Sequence, residues 1–192
     1  TSATGGNFEN LVVGTAAATA VVNDTTDTTT VHLSGSAQTE GATASYIFTA
    51  TLSQASQGTT TIVTDQGTIT ITNGDTVGTL TIAANNAEDV YLDGSSLTAT
   101  ITSATGGNFE NLVVGTAAAT AVVNDTTDTT TVNLSGSTQT EGATASYIFT
   151  ATLSQASQGT TTIVTDQGTI TITDGNTVGT LTIAANNAED VY

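Results

Sequence analysis

Apolar residues along this chain alternate with Thr or Ser at a spacing of two, the period of a strand with one buried face, rather than recurring at the 3.6 of a helix. Ser45-Tyr46-Ile47-Phe48-Thr49-Ala50-Thr51-Leu52 sets Tyr46, Phe48, Ala50 and Leu52 on one face. Thr68–Thr72, Thr79–Ile82 and Leu97–Ile101 repeat the pattern, each burying its Ile or Leu and showing its Thr. Further strands are expected at Thr29–Ser34, Thr60–Thr64, Leu112–Val114 and Ala117–Val123. Gly, Asn, Asp and Ser cluster between them, at Ser34–Gly41, Asp65–Gly67, Asn73–Asp75, Asn85–Ser96 and Ala104–Asn111, where turns belong. About seven short strands in roughly 100 residues is the sequence pattern of an immunoglobulin-like β-sandwich, so the fold class is all-β.

The pattern repeats. Thr1-Ser2-Ala3-Thr4-Gly5-Gly6-Asn7-Phe8-Glu9-Asn10 recurs from Thr102, a period of 102 − 1 = 101 residues, and over the whole overlap only His32/Asn133, Ala37/Thr138, Asn73/Asp174 and Asp75/Asn176 differ. A period of that length is a whole domain, so the chain reads as tandem sandwich domains laid end to end in a rod. Asn23-Asp24-Thr25-Thr26-Asp27-Thr28 and its copy Asn124–Thr129 are polar and acidic between strands, and are taken as the junctions. On that phase residues 1–24 are the last strands of a preceding unit, 25–125 a complete unit and 126–192 the first part of a third. The other phase makes 1–91 and 102–192 two units joined by Leu92–Ile101, a linker that itself has the pattern of a strand.

Charge changes the picture most. The 192 residues hold no Lys, no Arg and 17 Asp plus Glu, a net charge of −17 that no side chain can neutralise. Such a surface has nothing to offer phosphate backbones or anionic membrane faces, so nucleic acid and membrane insertion are excluded as partners. Carboxylates that converge resist ionising together unless a cation joins them. With no Cys and a single His that the repeat replaces by Asn133, that cation is oxygen-ligated. The same lack of nucleophile and base argues against an enzyme.

Taken in order, Thr39-Glu40-Gly41, Tyr46–Ser53, Asp65–Ile71, Gly78–Ile82, Glu88-Asp89-Val90-Tyr91-Leu92-Asp93-Gly94, Gly107–Asn111 and Asn124-Asp125-Thr126 resemble the extender repeats of giant type I secreted RTX adhesins and, more distantly, Calx-beta domains. The resemblance covers the whole chain. It implies a Ca2+-dependent rod segment of a bacterial surface adhesin, outside the cell, whose partners are its neighbouring repeats, with end-to-end contacts between molecules left open. Ligands would fall on Glu40 and Glu141, on Glu88, Asp89 and Asp93 with the copies Glu189 and Asp190, and on the junction acids Asp24, Asp27, Asp125 and Asp128.

The residues support calcium without that resemblance. Asp24, Asp27, Glu40, Glu88, Asp89 and Asp93 lie in or beside three turn regions that a sandwich can gather at one pole, and Asp65 with its copy Asp166 adds a further turn. Calcium takes six to eight oxygen ligands in flexible geometry, which loops supply. The plainer reading is that these acids only keep the turns solvated. A carbohydrate-binding or other surface module is the alternative function, with Tyr91 and Phe109 as its aromatic candidates.

Overall fold

The computed structural model describes residues 1–15 and 17–191, and these described residues form fourteen strands and no helix. Ala16 and Tyr192, in the first and third expected units, lie outside the described residues. The strands from Thr28 onward are β1 (Thr28–Gly35), β2 (Ala37–Thr39), β3 (Ser45–Leu52), β4 (Thr60–Thr64), β5 (Gly67–Ile71), β6 (Val77–Ala83), β7 (Ser95–Gly106), β8 (Asn111–Thr116) and β9 (Ala118–Asn124). They pair as two sheets, β6-β3-β1-β8 and β2-β9-β7-β4-β5. The alternation does not announce β2, which falls in a stretch read as turn, and β7 runs on past Ile101 to Gly106.

Between the sheets lies one core. Phe48, Ile62, Ile69, Ile71, Val31 and Val123 are fully buried there, and Tyr46, Ala50, Leu52, Ala99 and Ala121 join them. Burying each large apolar side chain contributes about 1.5–3 kcal/mol, which is why Phe48, Ile62, Ile69 and Ile71 point inward while most of the alternating Thr face water, Thr29, Thr60 and Thr64 being buried.

Two short parallel pairings set the shape of the ends. β1 lies parallel to β8 and β2 parallel to β9, so the chain changes sheets between Gly35 and Ala37. Ser36 holds both sides: its N–H donates to the Ile47 carbonyl (2.9 Å), its hydroxyl accepts from the Ile47 N–H (3.1 Å), and its carbonyl accepts from the Val122 N–H (2.8 Å). The crossing runs so close to β9 that a Cβ on Gly35 would stand 2.2 Å from the Thr120 carbonyl oxygen.

The second copy begins the same way. β10 (Val132–Gly136), β11 (Ser146–Leu153) and β14 (Val178–Ala184) form one sheet, and β12 (Thr161–Thr165) pairs with β13 (Gly168–Ile172) in another. Registers repeat one period on, Val31 opposite Leu52 becoming Val132 opposite Leu153. Its core holds only Ala151, Leu153, Ile170 and Ile172, with Phe149, Ile163 and Leu181 partly buried against it. Val132 and Leu134 are 49% and 55% exposed, where Val31 and Leu33 are at 0% and 3%.

Residues 1–27 carry no strand among the described residues, although the identical residues 102–128 carry the end of β7, β8 and β9. The difference is partnership. β8 lies along β1, and β9 lies between β7 and β2; among the described residues, 1–27 have no strand beside them, and a strand without a ladder leaves its backbone groups to water.

Candidate metal centre

Three segments that are distant in sequence meet at one end of the first sandwich: the turn after β2, the loop between β6 and β7, and the chain leaving β9. The parallel β2–β9 pair makes this happen, because both strands run toward that end and deliver Glu40 and Asp125 together. The Glu40 N–H donates to the Asn124 carbonyl (2.9 Å), and the Gly41 N–H donates to the Asn86 carbonyl (3.0 Å), tying the three segments by their backbones.

On this platform two carboxylate groups form around a shared member. Ligand oxygens of Glu40, Asp89 and Asp93 lie within 4.8 Å of one another, and so do those of Glu40, Glu88 and Asp128. Calcium holds its oxygens at about 2.3–2.6 Å, so two ligands of one ion stand up to roughly 5 Å apart; magnesium, at about 2.0–2.1 Å, needs a tighter set. Both groups lie within the span that a calcium shell covers.

Thr126 sits at the centre. Its N–H and hydroxyl donate to Glu40 Oε1 (2.8 and 2.7 Å), and the same hydroxyl oxygen is 2.7 Å from Glu88 Oε1 and 3.1 Å from Asp128 Oδ2. A hydroxyl carries one proton, so it can satisfy one of three carboxylates at a time. Glu40 is 6% exposed, and its Oε2 is buried with no hydrogen-bond partner. Asn86, 7% exposed, gives its Nδ2 hydrogen to the Asp93 carbonyl (3.2 Å), while its Oδ1 is likewise buried and unpartnered. Two buried oxygens without a donor are costly. The chain has no Lys or Arg to satisfy them, which leaves the oxygens open to a cation or to ordered water.

The acidities carry the same strain. Hydrogen bonds from the Thr126 hydroxyl and then its N–H hold Glu40 below the ordinary 4.5, with its contact to the Asp93 carboxyl adding to the effect, against desolvation and the charge of Asp128. Glu88 goes the other way: the Thr126 hydroxyl favours its charged form, but its contact with Asp128, desolvation and the charges of Glu40 and Asp128 together raise it. Desolvation, then the charge of Asp89, raises Asp93, with Glu40 and Asp125 adding to the effect and Asn86 opposing it.

The remaining acids have other places. Asp125 stands beside the group, its Oδ1 3.5 Å from the Asp93 N–H and its charge felt by Asp93. Asp65 ties a turn to β7, accepting the Thr100 N–H at 2.7 Å while its own N–H donates to the Thr100 carbonyl. Asp166 accepts from Gln167 Nε2 at 3.3 Å, and Asp24 from the Thr25 N–H at 3.1 Å. The Asp27 N–H donates to Glu110 at the opposite end of the sandwich. Among the described residues Asp24, Asp27, Asp65, Asp125, Glu141, Asp166, Glu189 and Asp190 enter no three-carboxylate group. As for the aromatic candidates, the Tyr91 hydroxyl donates to the Ala156 carbonyl (2.7 Å) and Phe109 packs against the core.

The LapA domain pattern matches residues 27–126 and 128–192, two stretches that start 128 − 27 = 101 residues apart. The chain belongs to the LapA domain family. That family is associated with biofilm adhesins, which gives the chain a role related to cell-surface adhesion. No curated protein matches it. A two-domain protein of unknown function from Bacteroides fragilis is similar over 84% of this chain and 91% of its own, at 9% identity and a TM-score of 0.34, too loose a likeness to bear on function. Among the described residues of this LapA-family chain, no helix is long and apolar enough to cross a membrane.

Sequence reasoning missed Thr126 and Asn86. Thr126 was legible only as part of a polar junction, and Asn86 as one of many loop residues. A faint signal was the Asn85-Asn86 pair, in which Asn85 takes the left-handed backbone (φ 55°) that Asn tolerates.

Proposed function

We propose that this chain is a non-catalytic extender segment of a bacterial surface adhesin, outside the cell, stiffened by Ca2+ where one LapA unit meets the next. The observation that carries the reading is Glu40: a buried carboxylate with one oxygen unpartnered, shared by two acidic groups, one of which includes Asp128 at the start of the second matched stretch. Glu40, Glu88 and Asp128 would hold one ion, and Glu40, Asp89 and Asp93 a second. Asn86 Oδ1 and backbone carbonyls stand nearby to fill coordination.

A cation shared by both sides of the short Asp125–Asp128 connection removes its hinge freedom. Because the carboxylates repel without it, ion binding is also folding free energy, so the chain stays loose where calcium is scarce and sets where it is abundant. That order suits export by a type I route.

The test is thermal unfolding with small-angle scattering in millimolar Ca2+ and in chelator. Calcium should raise Tm and give a longer, stiffer particle. If neither quantity moves, the acids are surface decoration and the extender works without metal.

A further inference from the structure

The Tyr91 hydroxyl donates to the Ala156 carbonyl at 2.7 Å, across 65 positions of sequence. This bond joins the loop between β6 and β7, in the first LapA stretch, to the loop between β11 and β12, in the second. The same β6–β7 loop carries Glu88, whose Oε1 meets the Thr126 hydroxyl beside Asp128. Tyr91 is steadied from behind, its own N–H donating to Asp89 Oδ1 at 2.7 Å.

We propose that Tyr91 is a positioning residue of the joint between the two units: its hydroxyl, on the Ala156 carbonyl, fixes the angle at which the second unit leaves the first, and does so without a metal ion. A single point of attachment at Asp128 leaves a swivel. A second point, on another loop of the second unit, removes the rotation. Tyr suits the task because a stiff ring carries its polar tip to the acceptor. The use of a fixed angle rests on the extender reading above; the tie itself, a hydroxyl on a carbonyl, needs no cation.

The acceptor loop is built alike in both units. The Ser157 N–H donates to the Asn176 carbonyl (2.8 Å), the Gly175 N–H to the Ser157 carbonyl (2.8 Å) and the Ser157 hydroxyl to the Gly159 carbonyl (3.0 Å). One period back, Ser56, Asp75, Gly74 and Gly58 make the same three bonds at 2.9, 2.8 and 2.9 Å. The change from Asp75 to Asn176 leaves the loop intact, because that acceptor is a main-chain carbonyl. In the first unit, where β8 is in place, Ala55 is still exposed and lines a pocket of about 810 Å³ with Gln54, Gln57, Asn108 and Phe109. The loop is therefore reachable with a finished sandwich behind it. The cavity beside Tyr91 also reaches Val132, Leu153 and Ile163, whose counterparts Val31, Leu52 and Ile62 are core in the first unit, but the tie calls on none of them. Both halves recur with the period, Ala55 with Ala156 and Tyr91 with Tyr192.

The chain has no Cys, so Thr68→Cys and Thr180→Cys, at exposed positions of β5 and β14, give one spin label on each unit of the full chain. Double electron–electron resonance then reads the spread of distances between the units. In chelator the labelled parent should give one narrow peak, and adding Tyr91→Phe should replace it by a broad distribution. Asp65→Asn, which loosens a turn inside the first unit, should leave the peak narrow. A parent already broad in chelator, a Tyr91→Phe chain as narrow as the parent, or equal broadening by Asp65→Asn overturns the proposal. Millimolar Ca2+ separates this tie from the metal joint. If the ion restores the narrow peak in Tyr91→Phe, both ties hold; if it changes nothing there, the metal joint fails and the tyrosine tie stands.

Discussion

Thr126 donates its backbone N–H to Oε1 of Glu40 at 2.8 Å, joining residues 86 positions apart. The bond fixes one carboxylate oxygen and thereby aims the other, Oε2, into a buried position with no partner. The acidic end of the sandwich is organised around that imbalance, and its consequences are measurable.

Glu40→Gln keeps the shape of the side chain and removes its charge. In chelator the variant should melt lower than the parent, because the Thr126 hydrogen bonds that favour the charged carboxylate outweigh its repulsion by Asp128. Its affinity for Ca2+ by titration calorimetry should fall by at least about tenfold, since even residues behind a ligand shift affinity by 10–100-fold. Asp65→Asn is the control: it weakens the tie to Thr100 and should lower Tm equally with and without calcium. Unchanged affinity in Glu40→Gln would remove Glu40 from any metal site.

Acidity should act in two phases when calcium is absent. Glu88 and Asp93 have raised folded-state pKa values, so the folded chain takes up their protons more readily than the unfolded one. Stability therefore rises as pH falls through their folded values and is fully gained below their ordinary ones. Glu40 is lowered, so its contribution is present above the ordinary 4.5 and is lost as pH drops below that through its folded value. Melts in chelator from pH 7 to pH 3 should show Tm passing through a maximum. In saturating calcium protons compete with the ion, and Tm should only fall on acidification; a maximum persisting there would count against the metal.

Gly35 and Gly136 occupy the same place in the two copies and should respond oppositely. A Cβ on Gly35 meets the Thr120 carbonyl oxygen at 2.2 Å, whereas one on Gly136 meets nothing within 4 Å. Gly35→Ala should cost about 3 kcal/mol, the upper end of overpacking penalties. Gly136→Ala should stabilise by up to about 1 kcal/mol through the unfolded chain. Urea midpoints of the two variants measure both, and equal losses would mean that β9 does not press on the crossing.

Much of this was legible in the sequence. The alternation through Ser45–Leu52 places Phe48 and Leu52 inward because a strand has only two faces, and the acids at Glu40, Glu88, Asp89, Asp93 and Asp128 stand out because nothing cationic accompanies them. Which of them meet was not legible. That depends on β2 running beside β9, a three-residue pairing inside a stretch that reads as turn. The Thr126 hydroxyl and the Asn86 amide are polar loop residues like many others until folding buries them among carboxylates.

Residues 1–27 and 102–128 show where sequence stops deciding. They are identical, and the sequence by itself determines for both the same alternation, the same turn residues and the same charge. Only residues 102–128 contain β8 and β9, and only there is the final valine of the run buried, Val123 at 1% against Val22 at 99%. A strand's backbone hydrogen bonds and half of its packing come from other strands. The sequence therefore specifies what such a segment can become, and the tertiary structure, by supplying β1, β2 and β7 as neighbours, is what makes residues 111–124 into β8 and β9.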